Sequence, residues 1–220
     1  MFDHVAIRVS DREASERFYD TVLPALGIAK GRSTESLAAW EDFQVVPAGD
    51  GVPVTRGLHI GFAAPSHAAA DEFWRAGTDA GYRDDGPPGP RPVYGDDYYG
   101  AFLLDPDGNS AEGARHDSLR SGGIVDHLWI RVADVARSKA FYEELAPYAG
   151  FRLKTDRPER AQFSDGNGSF SLVAGDHLTE NLHMAFPASG DPPPDIALVD
   201  PDGNTVELVP TARAEAAGQL

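Results

Sequence analysis

The sequence predicts an α+β protein assembled from two tandem copies of one strand-rich unit, and three observations carry that reading. The first is an internal repeat: displaced by 123 positions, DHVAIRVSDREASERFY (Asp3 to Tyr19) lies over DHLWIRVADVARSKAFY (Asp126 to Tyr142) with nine of seventeen positions identical. The second is the succession of period-two strands and helical patterns within each copy. The third is composition. The 23 glycines and 17 prolines are spread along all 220 residues, which suits many tight turns between short strands.

The elements follow in order. In the opening strand Val5, Ile7 and Val9 alternate with His4, Ala6 and Arg8, so one face is apolar and the other carries the histidine. Ser10-Asp11-Arg12-Glu13 has the form of a capping box, and Phe18, Val22 and Leu26 recur behind it at helical spacing. In LHIGF (Leu58 to Phe62), Leu58, Ile60 and Phe62 oppose His59 and Gly61. Ser66 is placed to cap a helix running through HAAADEFWRAGTDAG, with Phe73 and Trp74 as its bulky apolar residues. The turn Asp105-Pro106-Asp107-Gly108-Asn109 then leads into a strand that puts Glu112 on the face of Ser110 and Ala114.

Residues 117–123, mostly polar and ending Ser-Gly-Gly, read as a linker between a first module at 1–116 and a second at 124–211, with a tail at 212–220. In the second module Leu128, Ile130 and Val132 oppose His127, Trp129 and Arg131, and Asp134 starts a helix carrying Phe141 and Leu145. LHMAF (Leu182 to Phe186) sets His183 and Ala185 against Leu182, Met184 and Phe186, and a second DPDGN turn at Asp200 precedes Glu207, on the face of Thr205 and Val209. The offset between copies is 124 at the LHIGF and LHMAF strands and 95 at the two DPDGN turns, so the second copy has lost 29 residues between them. Where the first copy has its middle helix, the second has PASGDPPPD. Three consecutive prolines, Pro192 to Pro194, require an extended connection there.

The formal net charge of −16, with a pI near 4.7, opposes binding to phosphate backbones and anionic membranes, so neither nucleic acid nor membrane is expected as a partner. MFDHVAIRV has no basic segment followed by an apolar core, and no stretch approaches the roughly 18 apolar residues of a spanning helix, so a cytoplasmic location is expected. With no cysteine, any metal must be held by imidazole, carboxylate and water.

Four of the seven histidines occupy two equivalent positions in both copies, always off the apolar face, and each set is completed by a glutamate three residues after the asparagine of the turn. These ligands are His4, His59 and Glu112 in the first copy and His127, His183 and Glu207 in the second. Two neutral imidazoles and one carboxylate suit one divalent ion (Fe, Mn, Ni or Zn) and leave about three coordination positions open. A substrate with two adjacent oxygens can chelate such an ion, which then polarises a carbonyl or stabilises an enolate or alkoxide. An exchange between modules would group His4 with His183 and Glu207, and His127 with His59 and Glu112. Both pairings complete two triads, and the sequence leaves them open.

These residues, with DHVAIRVSD and FYDTVL, LHIGF, YYGAFLLDPDGNSAE in the first copy and DHLWIRVAD with FYEEL, LHMAF, DPDGNTVEL in the second, resemble the vicinal oxygen chelate superfamily. That group includes glyoxalase I, bleomycin-resistance and fosfomycin-resistance proteins, methylmalonyl-CoA epimerase and extradiol dioxygenases, and the resemblance covers nearly the whole chain. It implies four βαβββ units paired into two cupped, eight-stranded mixed sheets with flanking helices, the fourth unit here lacking its helix. It also implies that both His-His-Glu sets are metal positions. A glyoxalase I site takes a fourth ligand from the strand closing the first unit, but the corresponding segments read FQVVPAG and FSLVAG. An extradiol dioxygenase carries a tyrosine three residues before the aspartate of the turn, where this chain has Phe102 and Ala197.

Further pocket positions are Arg8 and Arg131, on the histidine face and able to hold an anionic group or pair with a carboxylate, then Tyr98, Phe102, Trp129 and His116, the last as a proton relay. No residue stands out as a general base. The expected function is therefore a metal-dependent lyase, isomerase or dioxygenase acting on a small oxygenated molecule, as a monomer or homodimer. The alternative is a sequestering protein of the bleomycin-resistance kind, which the acidic charge favours. The first module, which keeps its second helix, is the expected active one.

Overall fold

The structure, a computed structural model of the chain, describes residues 1–49, 51–117, 122–188 and 197–210. The first repeat supplies β1 (His4–Val9), α1 (Arg12–Val22) continued by a 3₁₀ turn (Leu23–Leu26), β2 (Arg32–Ser33), β3 (Ala38–Trp40) and β4 (Phe43–Pro47). It continues with β5 (His59–Ala63), α2 (His67–Asp79), β6 (Arg83–Pro90), β7 (Tyr99–Leu104) and β8 (Ser110–Arg115). The second supplies β9 (Val125–Val132), α3 (Val135–Ala149), β10 (Arg152–Arg157), β11 (Arg160–Ser164), β12 (Ser169–Ala174), β13 (His183–Ala188), β14 (Ala197–Val199) and β15 (Thr205–Pro210).

Each sheet is built from both repeats. One runs β14-β15-β13-β1-β4-β3-β2 and the other β10-β11-β12-β9-β5-β8-β7-β6. Two antiparallel junctions join the repeats: β1 on β13, with His4 opposite Ala185, and β9 on β5, with His127 opposite Gly61. The first sheet has seven strands where eight were expected, because the fourth unit contributes three among the described residues. The segment of that unit expected to lack a helix, which includes the prolines at 192–194, lies outside the described residues, as do linker residues 118–121 and the tail at 212–220.

The apolar faces converge on one continuous core that crosses both sheets. Tyr19 of α1 packs edge-on against Phe43 and Phe62, which belong to different sheets, and Tyr142 of α3 meets Phe170, which in turn packs on Phe186. Burying each such side chain stabilises the fold by about 1.5–3 kcal/mol. Helix caps follow the sequence reading at Ser66 and Asp134, whose side chains accept from Ala69 N and Arg137 N. At α1 the cap is Asp11, accepting from Ala14 N, and Ser10 instead binds Asp107 of the distant turn through both its amide and its hydroxyl. Leu26 falls on the 3₁₀ turn, because Pro24 cannot donate to the α-helical ladder.

The two DPDGN turns are built alike. Asp105 Oδ1 accepts from Asp107 N and Asn109 N, and Asn109 Oδ1 accepts from Leu58 N, which fixes β5 beside β8. Asp200 and Asn204 repeat these bonds with Leu182. A buried tyrosine hydroxyl donates to the second oxygen of each aspartate, Tyr19 at 3.3 Å and Tyr142 at 2.9 Å. Tyr142→Phe is expected to cost about 1 kcal/mol, lowering the thermal midpoint by a few degrees, and Tyr19→Phe less, in keeping with its longer bond. Equal midpoints for Tyr142→Phe and wild type in a calorimetric melt would remove this anchor from the account.

Candidate metal centre

The junction of β5 with β9 brings three potential ligands to one place. His59 projects from β5, Glu112 from the adjacent parallel strand β8, and His127 from β9, all on the face opposite the core. Glu112 Oε2 lies 2.9 Å from His59 Nε2 and 3.2 Å from His127 Nε2, and the two Nε2 atoms are 3.2 Å apart. One ligand atom from each of the three lies within 4.8 Å of the others. Glu112 is 1% exposed, a burial that a lone carboxylate does not tolerate without a compensating cation or donor set.

The glutamate's other oxygen accepts from the Tyr98 hydroxyl at 2.9 Å. His127 Nδ1 lies 2.9 Å from Asp126 Oδ2, which orients the ring and leaves Nε2 facing Glu112, the usual outer support of a ligating imidazole. Burial opposes charge on His127 and Glu112, but the hydrogen bonds outweigh it. Asp126 and Glu112 push His127 up to about 10, and His127 with His59 pulls Glu112 down to about 2. A divalent ion is the natural replacement for that proton, since ligating imidazoles must be neutral. Two glycines make the space: a Cβ on Gly61 would lie 2.2 Å from His127 Cε1, and one on Gly100 would lie 2.3 Å from Glu112 Oε1.

The junction of β1 with β13 assembles the second set. His183 Nε2 lies 3.2 Å from Glu207 Oε2, the His4 and His183 rings are 5.2 Å apart, and His4 Nδ1 lies 2.8 Å from Asp3 Oδ1 as His127 does from Asp126. All three ligands are half-buried, where Glu112 and His127 are buried. Of the two pairings the sequence left open, the structure therefore shows the crossed one. Neither repeat holds a triad alone, so the expectation of an active first module gives way to two shared sites of unequal enclosure.

The enclosed triad opens into a cavity of about 580 Å³. Tyr98, Phe102, His116, Trp129 and Arg131 line it. Arg8 does not: it sits on β1 in the other sheet, its guanidinium 3.4 Å from the Asn181 carbonyl. Arg131 makes the equivalent bond, 2.8 Å to the Gly57 carbonyl, so among the described residues backbone oxygens, and not the expected carboxylates, receive both arginines. His116 lies beside the triad, with Nε2 3.0 Å from Asp126 Oδ2, and this bond raises its pKa. A raised histidine contributes stability that is complete below its unfolded value near 6.5 and fades as pH climbs through the folded value. In metal-free protein the melting-point gap between wild type and His116→Gln should shrink from pH 6 to pH 9; a gap that widens would contradict the assignment.

Sequence reasoning missed Asp126, Gly61, Gly100, Lys154 and Arg160. The first was visible, because the Asp-His dipeptide recurs at Asp3 and Asp126 in both copies. The glycines and the two cations carry no such mark.

Two cross-built sheets, each bearing a His-His-Glu group on the face away from the core, define the class as the vicinal-oxygen-chelate fold in tandem form. The Glyoxalase/Bleomycin resistance protein/Dioxygenase superfamily model matches residues 1–112, and the chain belongs to that superfamily. A glyoxalase/bleomycin resistance protein from Albidiferax ferrireducens is 37% identical over 52% of this chain and 97% of its own, with a TM-score of 0.46. Glyoxalase I from Zea mays aligns over 98% of this chain and 94% of its own at 21% identity, with a TM-score of 0.64, and so shares the fold. No curated protein matches the chain. Among the described residues no helix is long and apolar enough to cross a membrane.

Proposed function

We propose that the chain is a metal-dependent enzyme of this superfamily, acting on a small oxygenated molecule at His59, Glu112 and His127. The observation that supports this most is a buried glutamate shared by two imidazoles at the floor of a cavity large enough for a small organic ligand. Fe, Mn, Ni or Zn fits the donor set, three ligands on one face with the cavity side open. Such an ion supplies Lewis acidity to an oxygen of the substrate.

The chain's own residues supply the rest. Asp126 fixes the His127 ring, Tyr98 holds the free oxygen of Glu112, and His116 stands at the cavity wall as a site for a proton. Phe102 and Trp129 give an apolar body something to rest on. A second carboxylate ligand of the glyoxalase I kind has no source on the neighbouring strands: Ser169 and Ser171 of β12 stand opposite His127 and Trp129, and Gln44 of β4 opposite Ala6. We therefore favour a lyase, isomerase or dioxygenase other than glyoxalase I. His4, His183 and Glu207 form a second, more open site for an ion.

The test is a screen of 1,2-diols, 2-hydroxyketones and catechols with protein loaded separately with each of the four metals, against chelated protein as blank. Turnover that appears with one metal and disappears on chelation is expected. Tight ligand binding with no metal dependence would instead return the sequestering reading.

A further inference from the structure

In a chain with a formal charge of −16, the cavity is lined by three cations, Arg131, Lys154 and Arg160. The carboxylates that share the cavity are occupied elsewhere. Glu112 faces His59 and His127, Asp126 faces His116 and His127, and Asp97 accepts the Asp117 amide at 2.6 Å. Arg160 is the most built of the three. Its Nε and Nη2 bond Ser171 Oγ at 3.2 and 3.1 Å, and its guanidinium lies over the Trp129 ring, 4.7 Å from the centroid. Those contacts fix the plane of the fork and leave the two N–H groups of Nη1 without a hydrogen-bond partner among the described residues. Ser171 belongs to β12 and Trp129 to the neighbouring β9, in register with each other, so the guanidinium, reaching from β11, is held against the strand that carries His127.

A positioned, half-buried guanidinium with donors unused costs desolvation that an incoming oxyanion repays. Resting on the reading of this cavity as the substrate site, we infer that it recognises a small organic carboxylate. The carboxylate is held at Arg160, with Arg131 and Lys154 adding to the local field. The ligand's body lies against Trp129, and its remaining oxygens point toward the triad. The protein's overall acidity does not set the charge of its ligand, because the cavity lining sets three cations against three carboxylates that already have partners.

The pair 3,4-dihydroxybenzoate and 3,4-dihydroxybenzamide tests this by isothermal titration calorimetry on the full chain, with and without Zn²⁺. Wild type should bind the acid at least about tenfold more tightly than the amide in both conditions. Arg160→Ala should abolish that ratio by weakening the acid alone, and Arg160→Lys should keep part of it. Arg75→Ala, which removes an exposed cation on α2, should leave the ratio unchanged. Equal affinity for acid and amide in wild type, no binding of the acid, or equal weakening of both by Arg160→Ala would overturn the inference. Should Arg160→Ala fail to fold by circular dichroism, the wild-type ratio and Arg160→Lys still decide it. Metal content read on the same samples separates the outcomes: a wild-type protein that holds metal yet binds acid and amide equally rejects the anion site, and absence of metal rejects the function proposed above.

Discussion

Glu112→Ala is expected to release the ion from the enclosed triad and to lower turnover about 1,000-fold or more, whereas Glu207→Ala leaves turnover within a few-fold of wild type. Glu112 is the one anion of its donor set, and two neutral imidazoles alone hold a divalent ion weakly. Losing a Lewis acid removes several kcal/mol of charge stabilisation in the transition state, which sets the scale of the rate effect. The same substitution strands His127, buried beside Asp126, and leaves the Tyr98 hydroxyl without its acceptor. Glu112→Gln is the informative control, since it keeps the shape and a hydrogen-bonding oxygen while deleting the charge. Plasma mass spectrometry on each variant reads the outcome, and a metal content in Glu112→Ala equal to that of wild type would reject the assignment of this triad.

Gly61→Ala should be nearly as damaging to the metal site, although it adds one methyl group. The new Cβ would sit 2.2–2.8 Å from three atoms of the His127 ring, so the imidazole must swing away from Glu112. Overpacking of this kind costs about 1–3 kcal/mol, and the displaced ligand loses its angle to the ion as well. The second repeat supplies an internal comparison, because Ala185 occupies the equivalent place opposite His4. Ala185→Gly should therefore change little at its own triad. Equal metal affinity for Gly61→Ala and wild type, measured by competition with a chromophoric chelator, would show that the ring is not confined as described.

Much of the fold was legible because the strands alternate so regularly. Val5, Ile7 and Val9 against His4, Ala6 and Arg8 fix which face is apolar, and the repeat carries that assignment to β9. Asp134 and Ser66 mark helix starts by the same local chemistry the structure shows. Asp11 displaced Ser10 as a cap because a tertiary partner, Asp107, took the serine. The residues of both His-His-Glu groups stand out in the sequence, but their grouping does not: equivalent residues in two copies complete a triad under either pairing, and only strand neighbours decide. β6 has the composition of a loop, with RDDGPPGP broken by proline and glycine, and it forms as a bulged edge strand. Lys154 and Arg160 lie in the charged hairpin of β10 and β11, which resembles a solvated turn, and their place at the cavity follows from the pairing of β11 with β12 and of β12 with β9.

The most direct measurement is anomalous diffraction from crystals of the metal-reconstituted protein, collected at the absorption edge of the ion. The account predicts a peak about 2.0–2.2 Å from His59 Nε2, His127 Nε2 and a Glu112 oxygen, with solvent or ligand oxygens on the cavity side. An ion held by His4, His59 and Glu112 in any other arrangement of the chain, or a cavity floor with no peak at full metal loading, would contradict it.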